Sequence, residues 1–300
     1  MSKKIIVRIA EGIGNQLFMY AHAYALSKKI NYDLYIDNTS GYFQKKNQIR
    51  SYELDKFNIN TSLSDKKYRF DNFLLNLNRN LLKKIDIYKT NKSFLIESKD
   101  RNKITNYYDT AKLNFSNILY VEGYYETEKY FKDFANDLKK KFMINEKYLE
   151  KNNKYIDLVK NSNSVSISVR QHRFSERGQI NYSRSIKFTP KTANYINKAV
   201  IFFKNKIPNA KFFIWADDFA GLNEYFDENK FIFIKNNINK SINDFNLFKY
   251  AKHFIVGPTS FHWWGAWLNQ NRNKICVRPP DNLNPSNNKN FWPESWIKID

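Results

Sequence analysis

The chain has 300 residues, a formal net charge of +21 and 42% hydrophobic residues, with 25 Phe and 20 Tyr among them. This content excludes a disordered chain, and the length allows one large domain or two of ordinary size. A lone cysteine, Cys276, excludes an internal disulfide and a cysteine metal cage. The longest apolar runs, KFFIWA and KHFIV, fall far short of a membrane span. IIVRIAEG near the start is cut by Arg8 and Glu11 and so lacks the form of a secretory leader. The expectation is a cytoplasmic enzyme. The charge admits nucleic acid, an anionic membrane face or a phosphorylated substrate as partner. The lysines are scattered (KKK at 139–141, RNLLKKIDIYK at 79–89), which argues against nucleic acid, and a bias toward Lys, Asn and Ile accounts for part of the excess.

In chain order, KKIIVRI reads as a buried strand, followed by a glycine turn and a helix over 16–29, with Leu17, Tyr20, Ala21, Tyr24 and Ala25 at helical spacing. YDLYID (32–37) is the next strand, and SYELDKFNI (51–59) a short strand or loop. Residues 62–110 are basic and loosely amphipathic, and their pattern assigns no element. NILYVEGYY (117–125) is a strand running into an aromatic turn, and EKYFKDFANDLKKKFM (128–143) predicts a helix. The polar stretch around 146–164 holds the expected domain boundary. The pattern then restarts. SVSISVR (164–170) is a strand, and TPKTANYINKAVIFFKNKI (189–207) a helix with Thr189 as N-cap and Pro190 at its first position. AKFFIWADD (210–218) and FIFIK (231–235) are strands, SINDFNLFKYAK (241–252) a helix and HFIVG (253–257) a strand. SFHWWGAWLNQ (260–270) is a helix and KICVRP (274–279) the closing strand. Strands alternating with helices predict parallel sheets. Two such sets predict two Rossmann-like domains, 1–160 and 161–300, facing across a cleft.

Ligands of open α/β sheets sit at the carboxyl ends of strands, which selects the candidate residues. In GIGNQ, Gly12 and Gly14 permit a tight turn, while Asn15 and Gln16 offer amides at a helix N-terminus. A simple helix cap fits the same residues, and the absence of a following lysine excludes a P-loop. Arg170 ends an apolar strand, where a guanidinium can hold a phosphate bidentately. His172, Arg173, Glu176 and Arg177 follow it and equally suit a loop laced by ion pairs. Asp217 and Asp218 end the next strand and suit a ribose, a guanine edge, Mg²⁺ or an N-cap. No grouping of His, Cys and Asp has metal-site spacing. Thr259 and Ser260 stand between a strand and a helix, in position for a second phosphate contact. The cluster Trp263, Trp264 and Trp267 reads as core packing, with stacking on a sugar as the alternative.

In this order the segments resemble the bacterial α-1,2-fucosyltransferases of glycosyltransferase family 11. GIGNQLFMYAHAYALSKK is similar to that family's Gly-Leu-Gly-Asn-Gln turn and Phe-x-Tyr-Ala helix, and RSYELDKFNI to its Tyr-Glu-Leu segment. VEGYYETEKYF, FFIWADD and TSFHWWGAWLN resemble its later blocks, so the likeness spans nearly the whole chain. The family's His-x-Arg-Arg-Gly-Asp signature is reduced here to Arg170, in Ser168-Val169-Arg170-Gln171-His172-Arg173. Glu11 stands where Gly is usual, Glu126 where Gln is usual, and Pro258 and His262 where Asn and Ser are usual.

The resemblance implies a GT-B-like α/β fold and inverting transfer of L-fucose from GDP-fucose to a glycan hydroxyl, galactose O2, without a metal. It implies Arg170 at the β-phosphate, and Asp217 or Asp218 at guanine or ribose. Gly14, Thr259, Ser260 and Phe261 complete the donor contacts, with Asn15 at the pyrophosphate or the reacting centre. Glu176 and Glu126 are the carboxylates available as base. The donor falls to the C-terminal domain and the acceptor, an oligosaccharide or lipid-linked glycan, to the N-terminal one. A lipid-linked acceptor would bring the basic surface to the anionic inner leaflet of the cell membrane. The alternatives are another nucleotide-sugar donor or a catalytically decayed glycan-binding protein.

Overall fold

The computed structural model describes residues 2–43, 50–97, 104–150, 154–171, 182–235 and 240–300. The chain divides into two compact units, Met1–Met143 with Ser286–Pro293, and Ile144–Pro285 with Glu294–Asp300.

Unit 1 is built on a parallel sheet of β1 (Lys4–Arg8), β2 (Asp33–Asp37), β3 (Lys92–Ile96) and β4 (Phe115–Glu122), in the order β2-β1-β4-β3. The helix α1 (Ile13–Ile30) is apolar around nearly its whole circumference and is buried accordingly. Phe18 meets Phe131 and Phe291, each at 6.0 Å between ring centroids, so the returning segment 286–293 helps to cover it. Asn31, at φ 56°, closes α1 in the left-handed region, where Asn is tolerated, and its N–H reaches Ser27 O. Two elements lie where the sequence pattern assigned none: β3 and the helix α2 (Phe73–Asp86), whose Asn72 side chain caps Leu75 N.

The helix expected across 128–143 is instead two 3₁₀ turns, Glu128–Tyr130 and Lys132–Phe134, followed by the short α3 (Ala135–Lys141). Burial of Tyr130 and Phe131 accounts for the break, since Phe131 adopts φ −137° and ψ 0° to turn its ring into the core.

Unit 2 opens with α4 (Tyr155–Lys160) and carries β5 (Asn163–Val169), α5 (Tyr182–Lys206), β6 (Ala210–Ala216) and β7 (Phe231–Phe233). It continues through α6 (Lys240–Phe248), β8 (His253–Ile255), α7 (Ser260–Leu268), β9 (Cys276–Arg278) and β10 (Ile297–Lys298). The six strands form one parallel sheet, in the order β10-β9-β8-β5-β6-β7. β5 alternates: Val165, Ile167 and Val169 join Phe212 and Ile214 of β6 against Tyr195, Ile196, Ala199 and Phe203 of α5. Ser164, Ser166 and Ser168 point the opposite way and are buried too, which lets other elements approach the sheet closely there. α5 begins earlier than expected and holds Pro190 in its interior rather than at its first position. Thr189 is therefore inside the helix and not its N-cap, and Phe188, two residues ahead of Pro190, packs on the core and anchors the helix there despite the missing donor.

Candidate active site

In unit 2 the chain runs β5, β6, β7 to one side and then returns to place β8 on the other side of β5. The sheet therefore has its topological switch point between β5 and β8, and the predicted donor residues stand at the carboxyl ends there. Arg170 directly follows β5 and is half-buried, and Asp217 and Asp218 directly follow β6. Gly257 to Ser260 connect β8 to α7.

The aspartates organise the loops. Asp217 Oδ1 accepts the N–H of Gln171 at 3.1 Å and that of Asp218 at 3.1 Å. Gln171 Nε2 donates to Asp218 O at 2.9 Å and to Ala220 O at 2.8 Å, and Asp218 Oδ1 caps Ala220 N. Arg170 is thus anchored through its neighbour to the exit of β6. Residues 172–180, with the candidates His172, Arg173, Glu176 and Arg177, lie outside the described residues.

Thr259 is the N-cap of α7: its Oγ1 accepts His262 N at 3.1 Å, leaving the hydroxyl proton for donation elsewhere. Ser260 starts the helix and is half-buried, where the helix dipole favours an anion. Phe261 packs its ring against Phe245 and Phe248, at 5.4 and 5.6 Å. Trp263 and Trp264 are fully buried and Trp263 stacks on Trp267 at 6.0 Å, so the first two offer no face to a sugar and are core.

His262, noted in the sequence only as a departure, has a defined task. Its Nδ1 accepts Gly257 N at 3.2 Å and its Nε2 lies 2.8 Å from Ser166 Oγ, so the proton resides on Nε2 and is donated to the serine. Complete burial lowers its pKa from 6.5 to about 3. The neutral ring ties the β8–α7 loop to β5. At Gly257 an added Cβ would lie 2.2 Å from Ser168 O, so glycine is required for this approach of two backbones.

Unit 1 has its own switch point, between β1 and β4. Gly12 is the N-cap of α1 with an ordinary φ of −83°, and Gly14 sits inside the first helical turn. The left-handed residue of the turn is Glu11, at φ 67°. The expectation that the two glycines make the turn is thereby corrected. A non-glycine residue is costly there. Gln16 is also reassigned. Completely buried, it donates through Nε2 to Glu11 O (2.8 Å) and Ser51 O (2.7 Å), and through Oε1 accepts Glu53 N (2.9 Å). It clamps the turn to the SYEL segment and is not available to a ligand. Asn15, half-buried in the first turn of α1, remains at this edge, and Glu126 is half-buried just past β4.

Two further carboxylates stand here: Glu11, which the sequence marks only as a departure, and Glu97, which the sequence reading passes over. Glu97, after β3, accepts Tyr124 N at 2.6 Å and Tyr125 N at 2.8 Å, shaping the turn that leads to Glu126. Burial raises its pKa against the lowering effect of those two bonds. Glu11 Oε1 takes the Tyr124 hydroxyl at 3.4 Å. Only the positive φ at Glu11 and the strand end at Glu97 mark them, and neither is readable without the fold. Among the described residues no group of three His, Cys, Asp or Glu is placed to hold a metal ion.

The chain is similar to an α-1,2-colitosyltransferase of Escherichia coli, 28% identical over 99% of both chains. It is also similar to the O-antigen biosynthesis glycosyltransferase WbnK of Escherichia coli, 24% identical over 97% of this chain and 99% of that one. Among solved structures, a mutant of Arabidopsis thaliana FUT1 in complex with GDP matches 100% of this chain and 77% of its own, with a TM-score of 0.55 and 14% identity. The α-1,6-fucosyltransferase NodZ, soaked with GDP-fucose, matches 90% of this chain and 93% of its own, with a TM-score of 0.51 and 13% identity. The fold is thus GT-B-like, made of two Rossmann-like units. The family model described as Glycosyl transferase family 11 matches residues 4–300, and the chain belongs to that family of glycosyltransferases.

Proposed function

We propose that the protein transfers L-fucose from GDP-fucose to a hydroxyl of a glycan acceptor, galactose O2, with inversion at the anomeric carbon. The observation that carries the reading is the convergence of Arg170, Asp217, Asp218, Thr259 and Ser260 at the carboxyl ends of β5, β6 and β8, around a switch point. Unit 2 is then the donor side and unit 1 the acceptor side. The acceptor oxygen forms its bond to C1 on the face opposite GDP while the bond from C1 to the β-phosphate oxygen breaks. Negative charge grows on the phosphate, and the burden of catalysis is to stabilise it. Arg170 meets that charge, with Ser260, Thr259 and the N-terminus of α7 as further donors, and Gly14 and Phe261 complete the contacts to the donor. Asp217 or Asp218 holds the ribose or guanine. Asn15 serves the reacting centre, and Glu126 or Glu176 receives the acceptor proton.

A second donor is favoured by a specific finding: the Escherichia coli relative that matches 99% of both chains is a colitosyltransferase. Colitose is fucose lacking the 3-hydroxyl, so a site for one differs from a site for the other by the partners of a single hydroxyl. A site built to bond that hydroxyl discriminates strongly against its absence, whereas an apolar site discriminates weakly. Incubation with GDP-fucose and with GDP-colitose, each with a β-galactoside, and NMR of the product tests both readings. An α-linked sugar on O2 supports the proposal and the faster donor names the sugar. Retained configuration, or no transfer from either donor by folded protein, contradicts it.

A further inference from the structure

The helix α2 carries buried charge on its inward face and a long apolar stripe on its outward one. Its inward face carries Arg79, Lys83 and Asp86 beside Leu75 and Leu82. Arg79 and Lys83 pair with the buried Glu122 at 3.3 and 3.1 Å, and Asp86 accepts Ser93 N and Phe94 N at 2.8 and 3.0 Å. Its outward face is apolar: Phe73, Leu74, Leu77, Leu81 and Ile85 are each 47–74% exposed. At 100° per residue these five span an arc of about 120°, with Lys84 among them. Tyr88, 90% exposed, lies just beyond the helix end. Scattered exposed leucines are ordinary, but a continuous stripe along four turns of a helix is a contact surface.

Charge selects the occupant. From Asp65 to Lys92 the sequence has eight Lys and Arg against three Asp. Asp86 is buried and bonded to backbone, while Lys66, Lys67, Lys84 and Lys89 are exposed. A second copy of this chain, itself at +21, would bring like charge against like charge. An anionic bilayer offers both a hydrocarbon boundary for the leucines and negative headgroups for the lysines. We propose that α2 lies in the interface of an anionic membrane, with Phe73, Leu74, Leu77, Leu81 and Ile85 inserted among the acyl chains and Lys84 and Lys89 at the headgroups. The proposal deepens the proposed function, on which it rests only for purpose: it gives a lipid-linked acceptor a place to meet the enzyme.

The test uses the full chain and vesicles of phosphatidylcholine alone or with an equal part of phosphatidylglycerol. The protein is expected to float with the mixed vesicles, less so as salt rises, and weakly with phosphatidylcholine alone. L74Q/L77Q/L81Q keeps helix propensity and the inward face, and should lose about ten-fold or more in vesicle partitioning. A dye on Leu77→Cys, with the only other thiol (Cys276) buried, should shift to the blue on mixed vesicles. GDP affinity and transfer to a soluble acceptor should be unchanged in the triple variant, which separates this proposal from the donor reading. No flotation of folded wild type, equal flotation of the triple variant, or a wild-type dimer that the triple variant converts to monomer would each overturn it.

Discussion

Gln16 offers a direct test of how unit 1 is held. Its side chain makes hydrogen bonds of 2.7, 2.8 and 2.9 Å to Ser51 O, Glu11 O and Glu53 N, and it is completely buried. Gln16→Leu has similar volume and removes all three. Each lost bond is worth about 1 kcal/mol net, and each backbone group left dry costs about 1–3 kcal/mol. Ser51 and Glu53 are partly accessible and regain water, so the sum is about 3–5 kcal/mol. At about 2–4 °C per kcal/mol for a unit of this size, the first thermal transition should fall by roughly 6–20 °C. Gln16→Glu should be at least as damaging, because it sets a carboxylate against two carbonyl oxygens. Calorimetric melting of the three proteins, with circular dichroism to confirm folding, makes the comparison. GDP affinity of the folded Gln16→Leu protein should change little if the donor sits on unit 2. A variant with unchanged melting that loses GDP binding would refute the assignment of Gln16 as a clamp and restore it as a ligand.

Acid should expose the buried histidines. His262 and His22 are both lowered to about 3 by burial, against 6.5 for the free side chain, so below pH 6.5 the unfolded chain binds protons that the folded chain refuses. Their stabilising effect is intact above that value and is lost as pH falls, by about 2 kcal/mol each near pH 5. Glu97, whose pKa is raised, acts in the opposite sense, so the reading comes from the difference between wild type and His262→Gln in denaturant titrations at neutral pH and about pH 5. Equal acid sensitivity of the two proteins would count against a neutral buried His262. Gly257→Ala should cost more than about 2 kcal/mol and weaken GDP binding, since its Cβ would press on Ser168 O at 2.2 Å. Gly12→Ala, whose Cβ would have the Arg50 side chain as its nearest neighbour at 3.6 Å, should cost about 1 kcal/mol or less. Denaturation of the pair measures the contrast, and similar costs would contradict the close backbone approach.

The sequence reading succeeded where pattern and burial agree. SVSISV and KFFIWA became central strands β5 and β6, because alternation and short apolar runs bounded by polar residues have few other solutions. The strand ends could then be found by inspection, and Arg170, Asp217 and Thr259 stand at them. α2 escapes that reading for a physical reason: Leu74, Leu77 and Leu81 face outward, while Arg79 and Asp86 share the inward face with Leu75 and Leu82, so its apolar residues do not trace one core-facing stripe. The 128–143 segment reads as one helix because Phe131, Phe134, Leu138 and Phe142 have helical spacing, but burying the adjacent Tyr130 and Phe131 together requires a break in the chain. Gln16 and His262 were visible as residues but not as roles, since hydrogen bonds to Ser51, Glu53, Ser166 and Gly257 depend on contacts distant in sequence or on the closed loop.

The central claim is that the carboxyl edge of the unit 2 sheet holds a GDP-linked sugar through Arg170. Isothermal titration of the purified protein with GDP, repeated on Arg170→Ala, tests it most directly. The account predicts micromolar binding that falls about a hundred-fold or more in the variant, as expected when a charge-assisted phosphate contact is removed. Unchanged GDP affinity in a folded Arg170→Ala protein, or no GDP binding by the wild type, would contradict it.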